Sequence, residues 1–196
     1  MTTLTYIRAK YNLKANQSQH KLHRSRFGSL TVLFKELGFN RGAEIGIETG
    51  RFSKSLLTVN PHLELFAIDT KAELDNAYYN KAKNRLAPFN ARIYKETSMN
   101  AVKRFADESL DFVYIDAAHD YKNVYNDIKE WSKKVRMGGI IGGHDYMDPN
   151  FDGKKDYYKE IYDVKAAVND WVKANNINPL FVLTKVNCRS WFYVKT

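Results

Sequence analysis

The strongest constraint on the fold is a repeated alternation between short apolar runs and longer stretches with helical periodicity. Five apolar runs are typical of strands, and they cover residues 43–47, 64–69, 91–95, 111–116 and 139–143. Helical patterns precede or separate them at residues 28–38, 52–59, 71–86, 100–105 and 121–135. Because strands that alternate with helices form βαβ units, this order predicts a parallel sheet with helices on both faces.

The C-terminal part of the chain departs from this alternation. An amphipathic helix is expected at residues 159–174, and two apolar runs follow at residues 180–184 and 190–194. The segment between them, residues 185–189, predicts a hairpin, which would place an antiparallel strand in the sheet. The sequence therefore predicts an α/β fold: a Rossmann-like doubly wound sheet of about seven strands, mostly parallel, with an antiparallel C-terminal strand.

Chain length and apolar content limit the organisation of the protein. The 196 residues correspond to one domain, which we divide into an N-terminal extension, residues 1–30, and a domain at residues 31–196. No apolar run approaches the ~18 residues that a membrane span needs, so no membrane partner is expected. Cys188 is the only cysteine, and the N-terminus lacks the apolar core of a secretory signal. These features predict a cytoplasmic protein.

The positive charge is concentrated in the N-terminal extension. The chain has a formal net charge of +9. The extension contains no acidic residue and six basic ones: Arg8, Lys10, Lys14, Lys21, Arg24 and Arg26. Such a segment can bind nucleic acid or another polyanion by releasing counterions. It can also be a solvated extension or a targeting peptide, and these alternatives stay open at this point.

The first predicted strand ends in a turn with two glycines, Gly46 and Gly50, in the segment EIGIETG. Glycines let the backbone approach a ligand closely. The segment lacks the three glycines of the dinucleotide fingerprint, and the chain has no Gly-Lys-Ser/Thr phosphate loop. Asp69 ends the second strand about twenty residues later, where a carboxylate can accept hydrogen bonds from both hydroxyls of a ribose. The combination predicts an adenosine-type cofactor.

Polar residues also follow the fourth and fifth predicted strands: Asp116 and His119 after the fourth, His144 and Asp145 after the fifth. The carboxyl ends of parallel strands share one edge of the sheet, so these side chains should converge. Two carboxylates and an imidazole suit a divalent ion, and His119 can take up a proton near neutral pH. Each residue also has a structural alternative. Asp116 could cap a helix, His119 could be a surface histidine, and His144 and Asp145 could form hydrogen bonds with the backbone of their loop.

Three segments of the chain resemble the class I S-adenosylmethionine-dependent methyltransferases. They are EIGIETGRFS, FAIDT and SLDFVYIDAAHDYKNVYNDIKEWSKKVRMGGIIGGHDY, and the resemblance covers residues 42–146. Within that superfamily the chain is similar to the metal-dependent O-methyltransferases of the catechol and macrolide-sugar types, and to the related cephalosporin hydroxylase-like group. The resemblance implies a sheet with a reversed last strand.

The resemblance also implies roles for individual residues. The positions that match cofactor-binding residues of the family are Glu44, Gly46, Glu48, Thr49, Gly50, Asp69, Thr70, Ser98, Met99 and Asp116. His119 matches the catalytic base. Asp116, His144 and Asp145 match the metal ligands, although relatives carry two carboxylates, or a carboxylate and an amide, where this chain has the pair His144 and Asp145.

The function implied is transfer of a methyl group from S-adenosylmethionine to a hydroxyl of a small molecule or sugar. Mg²⁺ or another divalent cation would bind that hydroxyl and lower its pKa, with His119 as base. The alternatives are a nucleic acid or protein acceptor, reached through the basic extension, or a cofactor-binding module without catalysis. Residues 147–158 could form a lid or an ordinary loop. Apolar residues of the extension, such as Ile7, could cover the pocket or pack on a second subunit in a homo-oligomer.

Overall fold

The computed structural model describes residues 1–70, 76–148, 163–186 and 188–196. Within these ranges the strands are β1 (Gln19–Leu22), β2 (Arg41–Ile45), β3 (Glu64–Ile68), β4 (Ala91–Tyr94), β5 (Leu110–Ile115), β6 (Val135–Gly143), β7 (Leu180–Leu183) and β8 (Ser190–Val194). The α-helices are α1 (Thr3–Tyr11), α2 (Thr31–Glu36), α3 (Arg51–Val59), α4 (Asn76–Leu86), α5 (Ser98–Ala101), α6 (Tyr121–Lys134) and α7 (Val164–Ala174). A π-helical turn, Arg26–Leu30, leads into α2, and a 3-10 turn, Val102–Arg104, follows α5.

The strands form one sheet in the order β1-β7-β8-β6-β5-β2-β3-β4. Among the strands of the described ranges, only β8 pairs in the antiparallel sense, with β6 and β7 as its two neighbours, and the other pairs are parallel. The predicted α/β class and the reversed C-terminal strand are confirmed. In the part of the chain that the structure describes, the sheet has eight strands rather than about seven, because β1, from the N-terminal 30 residues, pairs with β7.

The core consists of two apolar layers, one on each face of the sheet. Strand β5 shows how the sequence produces them: Phe112 and Tyr114 pack under α2 and α3, whereas Val113 and Ile115 face α5 and α6. All six residues of β5 are buried. A strand covered on both faces has no polar side, which is why the predicted strands were continuous apolar runs rather than alternating patterns.

The N-terminal 30 residues pack against the rest of the chain. Ile7 of α1 is completely buried. The Thr3 hydroxyl donates a 2.6 Å hydrogen bond to the carbonyl of Gly138, and Lys10 forms a 2.7 Å ion pair with Glu36 at the end of α2. These contacts place the segment over one face of the sheet and lead it towards the carboxyl ends of the strands.

Some predictions extend beyond the described residues. The helix expected at residues 71–86 is described from Asn76, and the one expected at residues 159–174 from Val164. The candidate lid at residues 147–158 lies outside the described residues except for its first two positions. No helix in the described ranges combines the length and apolarity that crossing a membrane requires.

Candidate active site

The carboxyl ends of the central strands border a cavity of about 400 Å³. The strand order reverses here, between β2 and β5, which is where open α/β sheets bind ligands. Seven of the ten residues predicted to bind the cofactor line this cavity: Gly46, Glu48, Asp69, Thr70, Ser98, Met99 and Asp116. The other three, Glu44, Thr49 and Gly50, lie outside its walls.

The turn after β2 has a backbone that few residues adopt. Gly46, Glu48 and Gly50 have φ angles of 84°, 51° and 72°, all in the left-handed region. A Cβ atom on Gly46 would lie 2.5 Å from the carbonyl carbon of Asp116 and 2.8 Å from the Cα of Ala117. Only glycine therefore allows the turns after β2 and β5 to come this close together.

Glu44 and Thr49 support this turn from behind. The carboxyl group of Glu44 is buried and accepts a 2.6 Å hydrogen bond from the Ser53 hydroxyl of α3. Burial raises the pKa of Glu44 to about 8, so the side chain is mostly protonated at pH 7. The carbonyl of Thr49 accepts a hydrogen bond from Arg85 of α4. The two contacts attach the turn to both neighbouring helices.

Asp69 connects the ends of β2 and β3. Its side chain is in the cavity wall, the residue is 8% exposed, and Oδ2 accepts a 2.7 Å hydrogen bond from the backbone N–H of Glu48. The carboxylate therefore fixes the glycine turn as well as presenting acceptor atoms to the cavity. An acidic residue in this place suits the hydroxyls of a ribose.

Ser98 and Asp127, which line the cavity, belong to a chain of three hydrogen-bonded side chains. The Trp131 indole N–H donates a 2.8 Å hydrogen bond to the Ser98 hydroxyl, which donates one of 2.5 Å to Oδ1 of Asp127. Burial raises the pKa of Asp127 to about 6. The sequence analysis missed four polar lining residues: Glu96, Thr97, Asn123 and Asp127. The signal for Asp127 was present, because a carboxylate interrupts the apolar face of α6 between Val124 and Trp131.

A second, much smaller cavity lies on the other side of Asp116. It is lined by that residue together with His119, His144 and Asp145. Trp191 of β8 also borders it, and the indole N–H of Trp191 is buried without a hydrogen-bond partner among the described residues. Asp116 therefore separates the cofactor-sized cavity from the cluster of predicted catalytic and metal-binding side chains.

These four predicted residues form one network. Nε2 of His119 lies 3.0 Å from Oδ2 of Asp145, and Nδ1 of His144 lies 3.3 Å from Oδ1 of the same carboxylate. Nδ1 of His144 is also 3.7 Å from Oδ1 of Asp116. Burial alone would raise the pKa of Asp145, but the two histidine hydrogen bonds outweigh it and hold that pKa well below its usual range. The helix cap considered for Asp116 is instead Asp120, which begins α6.

Arg26, from the N-terminal segment, enters this network. Its Nη1 atom lies 2.5 Å from Oδ2 of Asp116 and donates a 3.3 Å hydrogen bond to the Tyr114 hydroxyl. The guanidinium lies 5.2 Å from the ring centres of Phe27 and Phe52 and 5.7 Å from that of Tyr114. Arg26 belongs to the segment for which the sequence left a solvated extension, polyanion binding and targeting open, and it is the ion-pair partner of a predicted site carboxylate.

The donor atoms of the network fit a divalent ion. Asp116, His144 and Asp145 each offer one ligand atom, and these atoms lie within 4.8 Å of one another. Neighbouring ligands at ~2.1 Å from one ion are about 3 Å apart, so only small adjustments are needed. Arg26 and His119 contact the Oδ2 atoms of the two carboxylates, which leaves both Oδ1 atoms beside His144. One imidazole among the oxygens favours Mn²⁺, Fe²⁺ or Zn²⁺ over Mg²⁺.

A family model described as a methyltransferase domain matches residues 43–146. The matched segment includes every residue of the predicted site, from Glu44 to Asp145. Among curated proteins, no sequence matches the chain.

Solved structures of similar fold come from several bacteria. A candidate caffeoyl-CoA O-methyltransferase from Staphylococcus aureus is 14% identical, with a TM-score of 0.69, and the alignment covers 97% of this chain and 90% of that one. An O-methyltransferase from Bacillus cereus in complex with S-adenosylhomocysteine is 16% identical, with a TM-score of 0.66 and coverages of 98% and 89%. A candidate O-methyltransferase from Klebsiella pneumoniae is 16% identical, with a TM-score of 0.67 and coverages of 99% and 90%. At such identities the likeness shows a shared fold.

Proposed function

The chain belongs to the family of methyltransferase domains and has the fold of S-adenosylmethionine-dependent O-methyltransferases, and from this premise we propose that it methylates a hydroxyl group of a small molecule or sugar. One observation carries the proposal. The cavity that can hold the cofactor and the cluster of His119, His144 and Asp145 share one carboxylate, Asp116. A methyl donor and an acceptor oxygen must come together in line, and this shared wall is where they can do so.

In the proposed complex the cofactor follows the walls of the larger cavity. The turn with Gly46 and Glu48 receives the amino acid part of S-adenosylmethionine. Asp69 accepts hydrogen bonds from the ribose hydroxyls, and Ser98 and Met99 border the adenine. The sulfonium already activates the methyl group, so the protein needs only to align the acceptor and to remove its proton.

Proton removal falls to His119. The hydrogen bond to Asp145 fixes the imidazole with its proton on Nε2, so the basic lone pair is on Nδ1. Asp145 would orient the ring and stabilise the imidazolium that forms when Nδ1 takes the acceptor proton. A divalent cation held by Asp116, His144 and Asp145 would supply Lewis-acid activation of the acceptor hydroxyl.

The surface charge supports a small acceptor over nucleic acid. Two of the six basic residues in the N-terminal 30 pair with acidic residues of the same chain, Arg26 with Asp116 and Lys10 with Glu36. Fewer positive charges are therefore available to a polyanion than the count of basic residues in this segment suggests. Nucleic acid and protein acceptors remain outcomes of the test below.

Calorimetric titration with S-adenosylmethionine and S-adenosylhomocysteine tests the proposal. We expect micromolar binding that weakens at least tenfold in Asp69→Ala and is unchanged in Asp107→Ala, a control that removes an exposed carboxylate at the opposite edge of the sheet. Adding Mn²⁺ or Mg²⁺ should produce a further binding event that is lost in Asp145→Ala. A labelled-methyl transfer screen over hydroxylated small molecules, RNA, DNA and protein then identifies the acceptor. No binding of either cofactor form would refute the proposal.

A further inference from the structure

The indole of Trp191 is buried beside the candidate active site, and its N–H group is unused. Strand β8 runs opposite to its neighbours, so its first residues lie at the edge where the parallel strands end. Trp191 is 1% exposed, and its Nε1 atom has no hydrogen-bond partner among the described residues. A buried donor without an acceptor is destabilising, so an N–H group in this place calls for a ligand.

The end of β6 leaves space for this indole. Trp191 pairs with Gly143, the last residue of β6. A Cβ atom on Gly143 would lie 2.9 Å from Nε1 and Cζ2 of the ring and 2.5 Å from the carbonyl oxygen of Ile115. Glycine therefore lets the nitrogen side of the indole lie against the strand end that leads directly into His144 and Asp145.

The smaller cavity, which Trp191 borders, has the size and the lining of a water site. Its volume is about 10 Å³, which is room for about one water molecule. Asp116, His144 and Asp145 line it together with Trp191. A buried water typically forms about three hydrogen bonds. Here its oxygen can accept from the indole N–H, and its two hydrogens can be donated to the carboxylates or to the imidazole.

His144 has a ring nitrogen that needs such a partner. Its Nδ1 atom lies 3.3 Å from Oδ1 of Asp145 and 3.7 Å from Oδ1 of Asp116, so Nδ1 is the nitrogen that faces the candidate ion position. Nε2 forms no hydrogen bond with the described residues. A histidine that binds a metal through one nitrogen almost always donates a hydrogen bond through the other. Water suits either tautomer, because it can accept from Nε2–H or donate to a bare Nε2.

We propose that the smaller cavity is a site for one water molecule, which Trp191 holds against Nε2 of His144, and that Trp191 is thereby a positioning residue for the metal site. The positioning role rests on the proposed metal-assisted function and deepens it, whereas the water site is independent of that function. The chain from indole to water to imidazole fixes the plane of the His144 ring, with Nδ1 directed at the two carboxylates. The ring is then already oriented when an ion binds, which raises the affinity for the ion.

A crystal structure of the wild-type protein, grown without added metal, tests the water site. We expect one ordered water within about 3.2 Å of both Nε1 of Trp191 and Nε2 of His144. Absence of that water, or a direct protein partner for either nitrogen, would overturn the inference. A second crystal soaked in Mn²⁺ should keep the water and the same orientation of the His144 ring. A rotated ring or a lost water would overturn the positioning role, and neither result depends on a variant.

Calorimetric titration with Mn²⁺ measures the effect of the indole N–H. Trp191→Phe keeps an aromatic ring and removes the donor. Outer partners of metal-binding histidines typically contribute about 10–100-fold to metal affinity, and here a water intervenes, so we expect Mn²⁺ to bind at least about fivefold more weakly. The affinity for S-adenosylhomocysteine should stay within about twofold of the wild type, because Trp191 does not line the larger cavity. That second affinity also shows that the variant is folded.

Trp171→Phe is the matched control for the same substitution. The Trp171 indole N–H donates a 2.8 Å hydrogen bond to the Tyr193 hydroxyl, and Trp171 lines neither cavity of the candidate site. Its loss should lower stability and leave the Mn²⁺ affinity equal to that of the wild type. A merely structural role of Trp191 would give the same pattern in Trp191→Phe.

The outcomes distinguish this inference from the proposed function. Equal Mn²⁺ affinity in the wild type and in Trp191→Phe would overturn the positioning role and leave methyl transfer intact. A wild-type protein that binds S-adenosylhomocysteine but not Mn²⁺ would count against metal assistance and against the positioning role, while the metal-free crystal structure would still decide the water site. Absence of binding by either cofactor form would count against the proposed function.

Discussion

Replacing Gly46 by alanine should destabilise the protein far more than its small size suggests. Alanine at a φ of 84° costs roughly 1 kcal/mol because the left-handed region crowds Cβ. The new Cβ would also lie 2.8 Å or less from backbone atoms of Asp116 and Ala117. Backbone atoms cannot rotate away as a side chain can, so the ends of β2 and β5 must separate. Overpacking of this kind costs about 1–3 kcal/mol, which gives a total of about 2–4 kcal/mol.

Alanine variants at two other glycines distinguish the cost of the backbone angle from the cost of the close contact. Gly38 has a φ of 68° with nothing within 4 Å of an added Cβ, and Gly50 has a φ of 72° with Leu86 side-chain atoms at 3.4 Å. Alanine at either position should therefore cost only about 1 kcal/mol, the price of the backbone angle alone. Urea unfolding of the three variants measures the free energies of unfolding directly. If Gly46→Ala lost no more stability than Gly38→Ala, the close approach of the two turns would not exist.

Two further predictions concern charged groups around the same turn. Because the pKa of Glu44 is raised, the folded state keeps a proton that the unfolded state releases, so its contribution to stability is present at low pH and is lost as the pH rises towards 8. Between pH 5 and pH 8 this decline amounts to about 3–4 kcal/mol, and urea unfolding should show that Glu44→Gln removes it. Equal pH dependence of the free energy of unfolding in both proteins would contradict this prediction. Arg26→Met keeps the packing of the side-chain stem but leaves Asp116 without its ion-pair partner. We expect thermal unfolding to show a loss of about 1–3 kcal/mol, partly restored in Arg26→Lys, whereas an unchanged melting temperature would mean that the pair contributes nothing.

Much of the site could be predicted because strand ends are easy to locate. Gly46, Asp69 and Asp116 each follow a buried apolar run, and parallel strands bring such positions to one edge whatever the helices do. The same logic predicted that His144 would approach Asp116, and the structure places Nδ1 of His144 3.7 Å from Oδ1 of Asp116. Local periodicity and chain direction were sufficient to predict that these strand-end residues converge, and no long-range contact had to be assumed.

The parts that sequence could not predict depend on contacts between distant residues. Strand β1 has only four residues, with the sequence QHKL, which is too short for a period of two to stand out. It exists because β7 offers an unpaired edge, and the edge is filled by a segment about 160 residues away. Asp127 was predictable in principle, since it breaks an apolar face, but helix periodicity alone does not say what lies opposite that face.

Asp116 combines a position that the sequence predicted with contacts that it did not predict. Its backbone N–H donates a 2.7 Å hydrogen bond to Ile45 at the end of β2, its carbonyl packs against Gly46, and its side chain is held by Arg26. Three segments that are far apart in sequence therefore position one carboxylate, which forms the wall between the cofactor cavity and the histidine cluster. A change in the N-terminal segment should consequently alter the histidine cluster, although no N-terminal residue lines the larger cavity among the described residues. The basic segment that charge alone assigned to solvent or to a polyanion is thus structurally continuous with the site.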